Sequence, residues 1–392
     1  MRHFRRVYAY AFTLFLLPVL LIAQQATGTL KIRVLNVGQG DAIYIECPEP
    51  AHHNMLIDSG DVTAMRYPGS PKLFQEQLAE LMGTRKRIDV VISSHPHSDH
   101  AGSLLWVLST YDVGKFIDDG MQYESATHTK IDLRAKELAG QGKLKFLHAT
   151  DLPNKSKEPD FCPAANVDAI LLKPAGFGQE DNPNNNSVAI RINYNDQTFL
   201  FTGDGEDEEE ALLLKDPATR PLLASTVLKA PHHGSNTSST ADFLAAVQPK
   251  IVVVSAGEKD IGTNKGYKHP RAETITRFLG FTKANGTADL RTIDAYDTDA
   301  KKWTEVQINA GVYVTAVDGT ITIASDGTKT WKGEEGPELI SENAPVRYVY
   351  TKADSEWYHL EECAVAKRIK PENRIVSKTP PEGREMHKGC PR

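Results

Sequence analysis

Cysteine is scarce in this chain. Four residues in 392 (Cys47, Cys162, Cys363 and Cys390) exclude a disulfide-dense mini-domain. They allow three pairings, among which the sequence does not choose. A hydrophobic run of membrane-spanning length is also lacking. The apolar run Ala11–Ala23 holds about 13 residues, where a spanning helix needs roughly 20. It follows Arg2, Arg5 and Arg6, and a positive start before a short apolar core is the pattern of a secretory signal peptide. Residues 1–28 are therefore read as a signal, the body as secreted or periplasmic, and the mature chain as free of a membrane span. An uncleaved N-terminal anchor is the alternative. No Cys follows the run, which argues against a lipid anchor. An excess of basic charge is missing too. The formal net charge of −6 argues against a general polyanion-coating protein, though not against a local basic groove. There is no internal repeat.

What is present is a succession of short strand-like runs separated by turns. Alternation over Leu30–Asn36 reads as a strand, Gly38–Gly40 breaks it, and Ala42–Cys47 and Asn54–Asp58 read as two more. From Pro71 the spacing turns helical through Leu81, and Ile88–Ser93 is an apolar run of the buried-strand type. Strand–loop–helix alternation continues, with Asp151–Ala164 read as irregular, a hairpin around Asn195–Asp196, and Leu290–Ile323 read as all-β. The acidic run Glu206–Glu210 opens a helix, where negative charge suits the dipole, and is read as capping and solvation rather than a calcium site. Domain boundaries follow: a main domain over 29–326, a polar linker over 327–345, and a small Cys/His module over 346–392.

The strongest chemical signal is His95-Pro96-His97-Ser98-Asp99-His100, three histidines and an aspartate within six positions. It follows a buried strand and precedes a helix, so a loop can turn several side chains to one point. Imidazole and carboxylate together suit Zn, Mn or Fe. His95 and His97, two apart in an extended loop, can share one ion, and Asp99 and His100 can hold a second. Asp204 ends a strand in FLFTGD and is placed to bridge two ions, its alternative being a helix N-cap. His232 and His233 end another strand. Adjacent residues of an extended chain point opposite ways, so one is expected to face the site, as ligand or as proton donor, and the other to be structural. His269 follows a further strand and is either a ligand or a surface residue. In Asn184–Ser187, Asn186 and Ser187 are read as substrate contacts or hydrogen-bond partners of a ligand. His52-His53 is read as a bland turn.

With these residues the chain resembles the metallo-β-lactamase superfamily, and more narrowly the hydrolase domain of the ComEC family of DNA-uptake proteins. The matching pieces are LNVGQGDA (Leu35–Ala42), LIDSG (Leu56–Gly60), SHPHSDHAG (Ser94–Gly102), NNNSV (Asn184–Val188), FTGD (Phe201–Asp204), LKAPHHGS (Leu228–Ser235), HP (His269–Pro270) and VDGTITIASDG (Val317–Gly327), in the family's order. The resemblance implies an α/β fold, a four-layer αββα sandwich with the site at one edge. It implies two divalent ions, Zn or Mn, held by His95, His97, Asp99, His100, Asp204, His233 and His269. It implies a metal-bridging hydroxide as nucleophile, with Asp99, His232, His233, Asn186 and Ser187 serving catalysis.

Many superfamily members carry a further ligand histidine where Asn185, Asn186 and Ser187 stand here, so an open position is expected. The channel of the DNA-uptake protein is absent, so only its hydrolase carries over. The implied activity is that of a phosphodiesterase or nuclease, with a phosphodiester or nucleic acid as substrate and no protein partner implied. Another hydrolase class on the same fold (lactonase, β-lactamase or phosphorylcholine esterase) and a non-catalytic metal-containing binding protein are the alternatives. The C-terminal module resembles Ada-type zinc-binding modules, with His359, Cys363, His387 and Cys390 as a possible zinc set or Cys363–Cys390 as a disulfide.

Overall fold

The computed structural model describes residues 28–48, 52–61, 74–158, 160–163, 166–179, 181–282 and 289–334, with short stretches between 348 and 386. The chain divides into two compact units, Met1–Glu334 and Glu335–Arg392.

Two large sheets form the body of the first unit, beside the antiparallel pair Arg291–Asp297 and Lys302–Ile308. One has eight strands in the spatial order Thr330–Lys332, Ile321–Ser325, Leu30–Val34, Ile43–Glu46, Asn54–Ile57, Arg87–Ile92, Asp112–Asp118 and Lys145–His148. The other has seven, in the order Val312–Val314, Ile251–Val254, Val227–Lys229, Gln197–Phe201, Ala189–Tyr194, Val167–Leu172 and Lys155–Glu158. The facing sides share one core, which includes Ile32, Ile45, Ile92, Ile190, Phe199 and Val253. Helices Phe74–Met82, Leu104–Thr110 and Ala126–Gly140 cover the outer face of the first sheet through Leu78, Val107 and Ile131. Helices Ala241–Val247 and Ala272–Thr282 cover the second through Phe243, Ile275 and Phe278. Helix, sheet, sheet and helix give the four layers. Cys47, after a strand of the first sheet, and Cys162, between two strands of the second, are buried and disulfide-bonded.

Parallel pairing places the functional loops. Asn54–Ile57, Arg87–Ile92 and Asp112–Asp118 run parallel, as do Gln197–Phe201, Val227–Lys229 and Ile251–Val254. Their carboxyl ends lead into Asp58, His95–His100, Asp204, His232-His233 and Ser255, the loops where open α/β sheets take ligands.

Several readings of the sequence need correction. The segment 151–164 is not wholly irregular: Lys155–Glu158 is an edge strand, and its wholly polar sequence, with Lys155 and Lys157 exposed, carries no apolar alternation. The segment 327–345 is not all linker, because Thr330–Lys332 pairs with Ile321–Ser325 and Glu334 takes a bidentate pair of hydrogen bonds from Arg33 at 2.8 and 2.9 Å. Leu290–Ile323 contains the short helix Thr315–Asp318. The acidic run is not all solvated: Glu209 and Glu210 are buried, and Glu210 accepts hydrogen bonds from Thr240 N and Oγ1 at 2.8 and 2.7 Å, where helix Ala241–Val247 begins.

In the second unit, the described strands order as Arg374–Ser377, Tyr348–Thr351, Trp357–Leu360 and Glu385–Met386. His359 is buried on the third of these, and Cys363, His387 and Cys390 lie outside the described residues.

Candidate metal centre

Two glycines let the loops close on one another. Gly40 has φ +138°, and a Cβ there would lie 2.4 Å from the Asp99 carbonyl oxygen. That approach lets Asp41 N donate to Asp99 O at 3.0 Å. Gly203, at φ +53°, leaves room for Ser187 and Ser94, and Ser187 Oγ accepts from Asp204 N at 3.1 Å.

Around Asp204 the rings converge. His100 Nε2 lies 3.1 Å from Asp204 Oδ1, His233 Nε2 lies 3.2 Å from Asp204 Oδ2, and the two Nε2 atoms are 3.2 Å apart. His233 Nε2 is also 3.5 Å from Asp99 Oδ2. The opposite nitrogens are already committed. His233 Nδ1 donates to the Ser255 carbonyl at 2.8 Å, and His100 Nδ1 donates to Asp58 at 2.8 Å. A carbonyl only accepts, so Nδ1 carries the proton in each neutral ring and Nε2 presents a lone pair. Two lone pairs and a carboxylate at this spacing repel unless positive charge sits among them. Burial opposes charge on either ring, but the Asp204 carboxylate outweighs it, aided by Asp58 at His100 and Asp41 at His233, and both histidines are held well above the ordinary imidazole range. A divalent cation would answer the same field, and the nitrogen–oxygen donor set suits Zn, Mn or Fe.

A second convergence lies beside it, His95 Nε2 to His97 Nδ1 at 3.1 Å. His95 Nδ1 faces the hydroxyls of Ser94 at 3.1 Å and Ser187 at 3.5 Å. Burial, with His100 adding to it, pushes His95 well below its usual range, and burial also lowers His97. Burial would raise Asp204, yet His100, His233 and His232 hold it well below the usual carboxylate range. The Asp204 charge acts on His95 and His97 as well, raising both against burial.

Asp41 falls within the same cluster but sits behind the rings. Its Oδ1 is 3.4 Å from His233 Nδ1, and its Oδ2 pairs with the buried Lys229 ammonium. Burial raises the Asp41 carboxyl, but Lys229 and His233 outweigh it and hold the group at about 2.

A pocket of about 140 Å³ opens onto these atoms. Of the residues singled out in the sequence, His97, Asp99, Asp204, His232, His233 and His269 line it, joined by Gln39, Ser98, Asn184 and Tyr267. Both His232 and His233 reach it, against the expectation of one. Their φ values of 46° and 54° are left-handed, so the alternation of an extended chain does not apply. His232 Nδ1 lies 3.2 Å from Glu206 Oε1 and 3.2 Å from Thr237 Oγ1, while its Nε2 is 3.9 Å from Asp204. His269 stacks beside His233 with its Nδ1 3.4 Å from Gln39 Nε2. Asn186 does not line the pocket. Its Oδ1 accepts from Gly178 N at 2.8 Å, and it is Asn184, bonded to Glu206 at 2.7 Å, that faces the cavity. Ser187 lies behind His95 and Asp204. His52 is in a turn at φ 52°, 3.6 Å from Glu46.

Asp41, Asp58 and Tyr267 carry no signal of their own in the sequence. Asp41 and Asp58 do fall inside LNVGQGDA and LIDSG, pieces of the resemblance without an assigned role.

Comparison with known proteins agrees with this geometry. The model of the family described as metallo-beta-lactamase superfamily matches residues 35–258. The chain is 24% identical over 275 residues to ComE operon protein 3 of Bacillus subtilis (strain 168), covering 67% of this chain and 32% of that protein. It is 29% identical over 262 residues to Competence protein ComA of Neisseria gonorrhoeae, covering 67% and 30%. The chain therefore spans about a third of the length of these relatives. Among solved structures, Igni18, a metallo hydrolase from Ignicoccus hospitalis KIN4/I, matches at 15% identity and a TM-score of 0.40, covering 71% of this chain and 99% of that one.

Proposed function

The chain belongs to the metallo-beta-lactamase superfamily, and on that premise we propose that it is an exported, metal-dependent phosphodiesterase. The observation that carries the metal dependence is the 3.2 Å approach of His100 Nε2 to His233 Nε2 beside Asp204. His95 with His97 would hold one ion, and Asp99, His100 and His233 the other, with Asp204 between them. Bound divalent ions lower the pKa of water toward roughly 7 and polarise a substrate oxygen. With an ion bound, Asp58 and the Ser255 carbonyl would keep the ring proton of His100 and of His233 on Nδ1 and leave each Nε2 to the ion. His232, its Nδ1 turned toward Glu206, presents Nε2 to the cavity as proton donor to the leaving oxygen.

The phosphodiester class is supported by the wall of the cavity, which is His, Asp, Asn, Gln, Ser and a single Tyr. An acyl or lactone substrate with an apolar body finds little to pack against there, whereas a tetrahedral oxyanion finds donors and ions. The resemblance to competence proteins favours the same class, with nucleic acid as the natural phosphodiester. Export is supported by the basic-then-apolar N-terminus and by the Cys47–Cys162 disulfide, a bond of oxidising compartments. Among the described residues no helix is long and apolar enough to cross a membrane.

The test is hydrolysis by the purified chain, reloaded with Zn²⁺ or Mn²⁺, of a chromogenic phosphodiester, a β-lactam and a lactone. The phosphodiester is expected to be cleaved fastest. Faster cleavage of the β-lactam or the lactone would replace the substrate class and leave the metal centre standing.

A further inference from the structure

At about 140 Å³ the metal pocket is small beside the roughly 300–1,000 Å³ of cavities that engulf a whole ligand. It has room for the reacting group, so the remainder of a substrate lies across the rim.

The rim is chemically lopsided. By Asn184 and His232 stand Glu206, Asp207 and Glu208. A second part of the rim is the segment Asn264–Arg271, read NKGYKHPR, which brings Tyr267 and His269 to the pocket. Lys265 is exposed, and Lys268 and Arg271 are part-exposed. None of the three forms an ion pair among the described residues. Lys268 Nζ and the Arg271 guanidinium sit 4.7 and 5.0 Å from the centre of the Tyr296 ring, which holds both cations at this edge. Arg271 Nη2 also donates to the Tyr267 carbonyl at 3.0 Å and so fixes the turn.

Tyr267 lines the pocket yet is 49% exposed, the aromatic member of the few large exposed hydrophobic residues among the described residues. It is the outermost of three near-parallel rings. His233 and His269 are 6.1 Å apart at 28°, and His269 and Tyr267 are 6.1 Å apart at 20°. The series runs from the buried centre to solvent and leaves the outer part of the Tyr267 ring without an aromatic neighbour among the described residues.

We propose that Tyr267, with Lys265, Lys268 and Arg271, is a stacking platform for a nucleobase next to the scissile phosphate. This rests on the phosphodiester reading and narrows it to nucleotidyl phosphodiesters. An aromatic face flanked by cations is the arrangement that grips single-stranded nucleic acid, since every base has a π-face and every linkage a negative charge. Glu206, Asp207 and Glu208 repel an anionic chain, which leaves the cationic Tyr267 segment as the favourable path for it. A polynucleotide strand and a free dinucleotide share this chemistry.

The test is the Kd of the metal-loaded full chain for a short single-stranded DNA, for the same strand made abasic, and for a dinucleotide. Tyr267→Ala is expected to weaken binding of the base-bearing strand about tenfold and to bring the ratio of abasic to base-bearing Kd toward one. Tyr267→Phe keeps the ratio. Lys268→Glu weakens both strands and flattens the salt dependence. A dinucleotide that binds as tightly as the strand assigns the platform to small nucleotides, and a tighter strand assigns it to the polymer.

A wild-type ratio already near one, or a Tyr267→Ala ratio equal to that of the wild type, overturns the platform. Cleavage is read in the same samples. Base-dependent binding without any phosphodiester cleavage retires the phosphodiesterase reading and leaves the platform, while cleavage without base dependence does the reverse.

Discussion

Asp58 meets His100 Nδ1 at 2.8 Å, and that contact decides which nitrogen of His100 is left for the pocket. Asp58 is itself fixed by Ser94 N at 2.7 Å and Ser94 Oγ at 2.6 Å, all within the core. Asp58→Ala is therefore expected to weaken metal affinity about 10–100-fold, read by competition with a chromogenic chelator. Asp58→Asn, whose amide oxygen can still accept from Nδ1, should lose less. Wild-type affinity in Asp58→Ala would count against this orienting role.

Asp99 and His52 form a contrasting pair. Asp99 faces the pocket with Oδ2 3.5 Å from His233 Nε2, whereas His52 lies in an exposed turn. Asp99→Ala is expected to cut turnover of a chromogenic phosphodiester by more than the roughly 100-fold typical of outer contacts, and His52→Ala to change it little. Full activity in Asp99→Ala would overturn the metal mechanism.

The Cys47–Cys162 bond closes a loop with a sequence separation of 115. Replacing both cysteines with serine should cost about 2–5 kcal/mol of stability, seen as a lower denaturant midpoint than that of the oxidised wild type. Equal midpoints would show that the sheets dock as firmly without the bond.

Asp119 follows the strand Asp112–Asp118, and burial pushes its carboxyl up to about 7, against hydrogen bonds from Met121 N and Tyr123 Oη that favour the charged form. The folded protein thus holds a proton that the unfolded chain releases near pH ~4. Stability from this group is full below about pH 4 and is lost as pH rises through about 7, up to about 4 kcal/mol in all. Asp119→Asn should flatten that part of the profile in urea unfolding between about pH 5 and about pH 8. A slope identical to that of the wild type would rule Asp119 out as its source.

The legibility of this chain follows from how local each signal is. His95, His97, Asp99 and His100 sit within six positions, so their density stood out before any fold was known. Asp204 was legible because a carboxylate ended an apolar strand. Asp41, Asp58 and Lys229 were not, because each is ordinary in its own segment: Asp58 reaches His100 only when neighbouring strands of the first sheet pair, and Asp41 meets Lys229 and His233 only across the two sheets. Glu209 and Glu210 looked like neighbours of one solvated run, yet helical spacing turns them inward while Asp207 and Glu208 stay exposed. Asn184 and Asn186 differ by two positions, and only the 3-10 turn Pro183–Asn186 decides that the first faces the cavity.

The centre draws His95–His100 from one sheet and Asp204 with His233 from the other, so neither half of the chain owns it. A genome reader who meets only the six-residue histidine motif, in a truncated reading frame or a fused gene fragment, has half of a site. Counting such proteins by that motif alone inflates the tally, whereas requiring the distant TGD and HHG segments in the same frame selects chains able to close the ring.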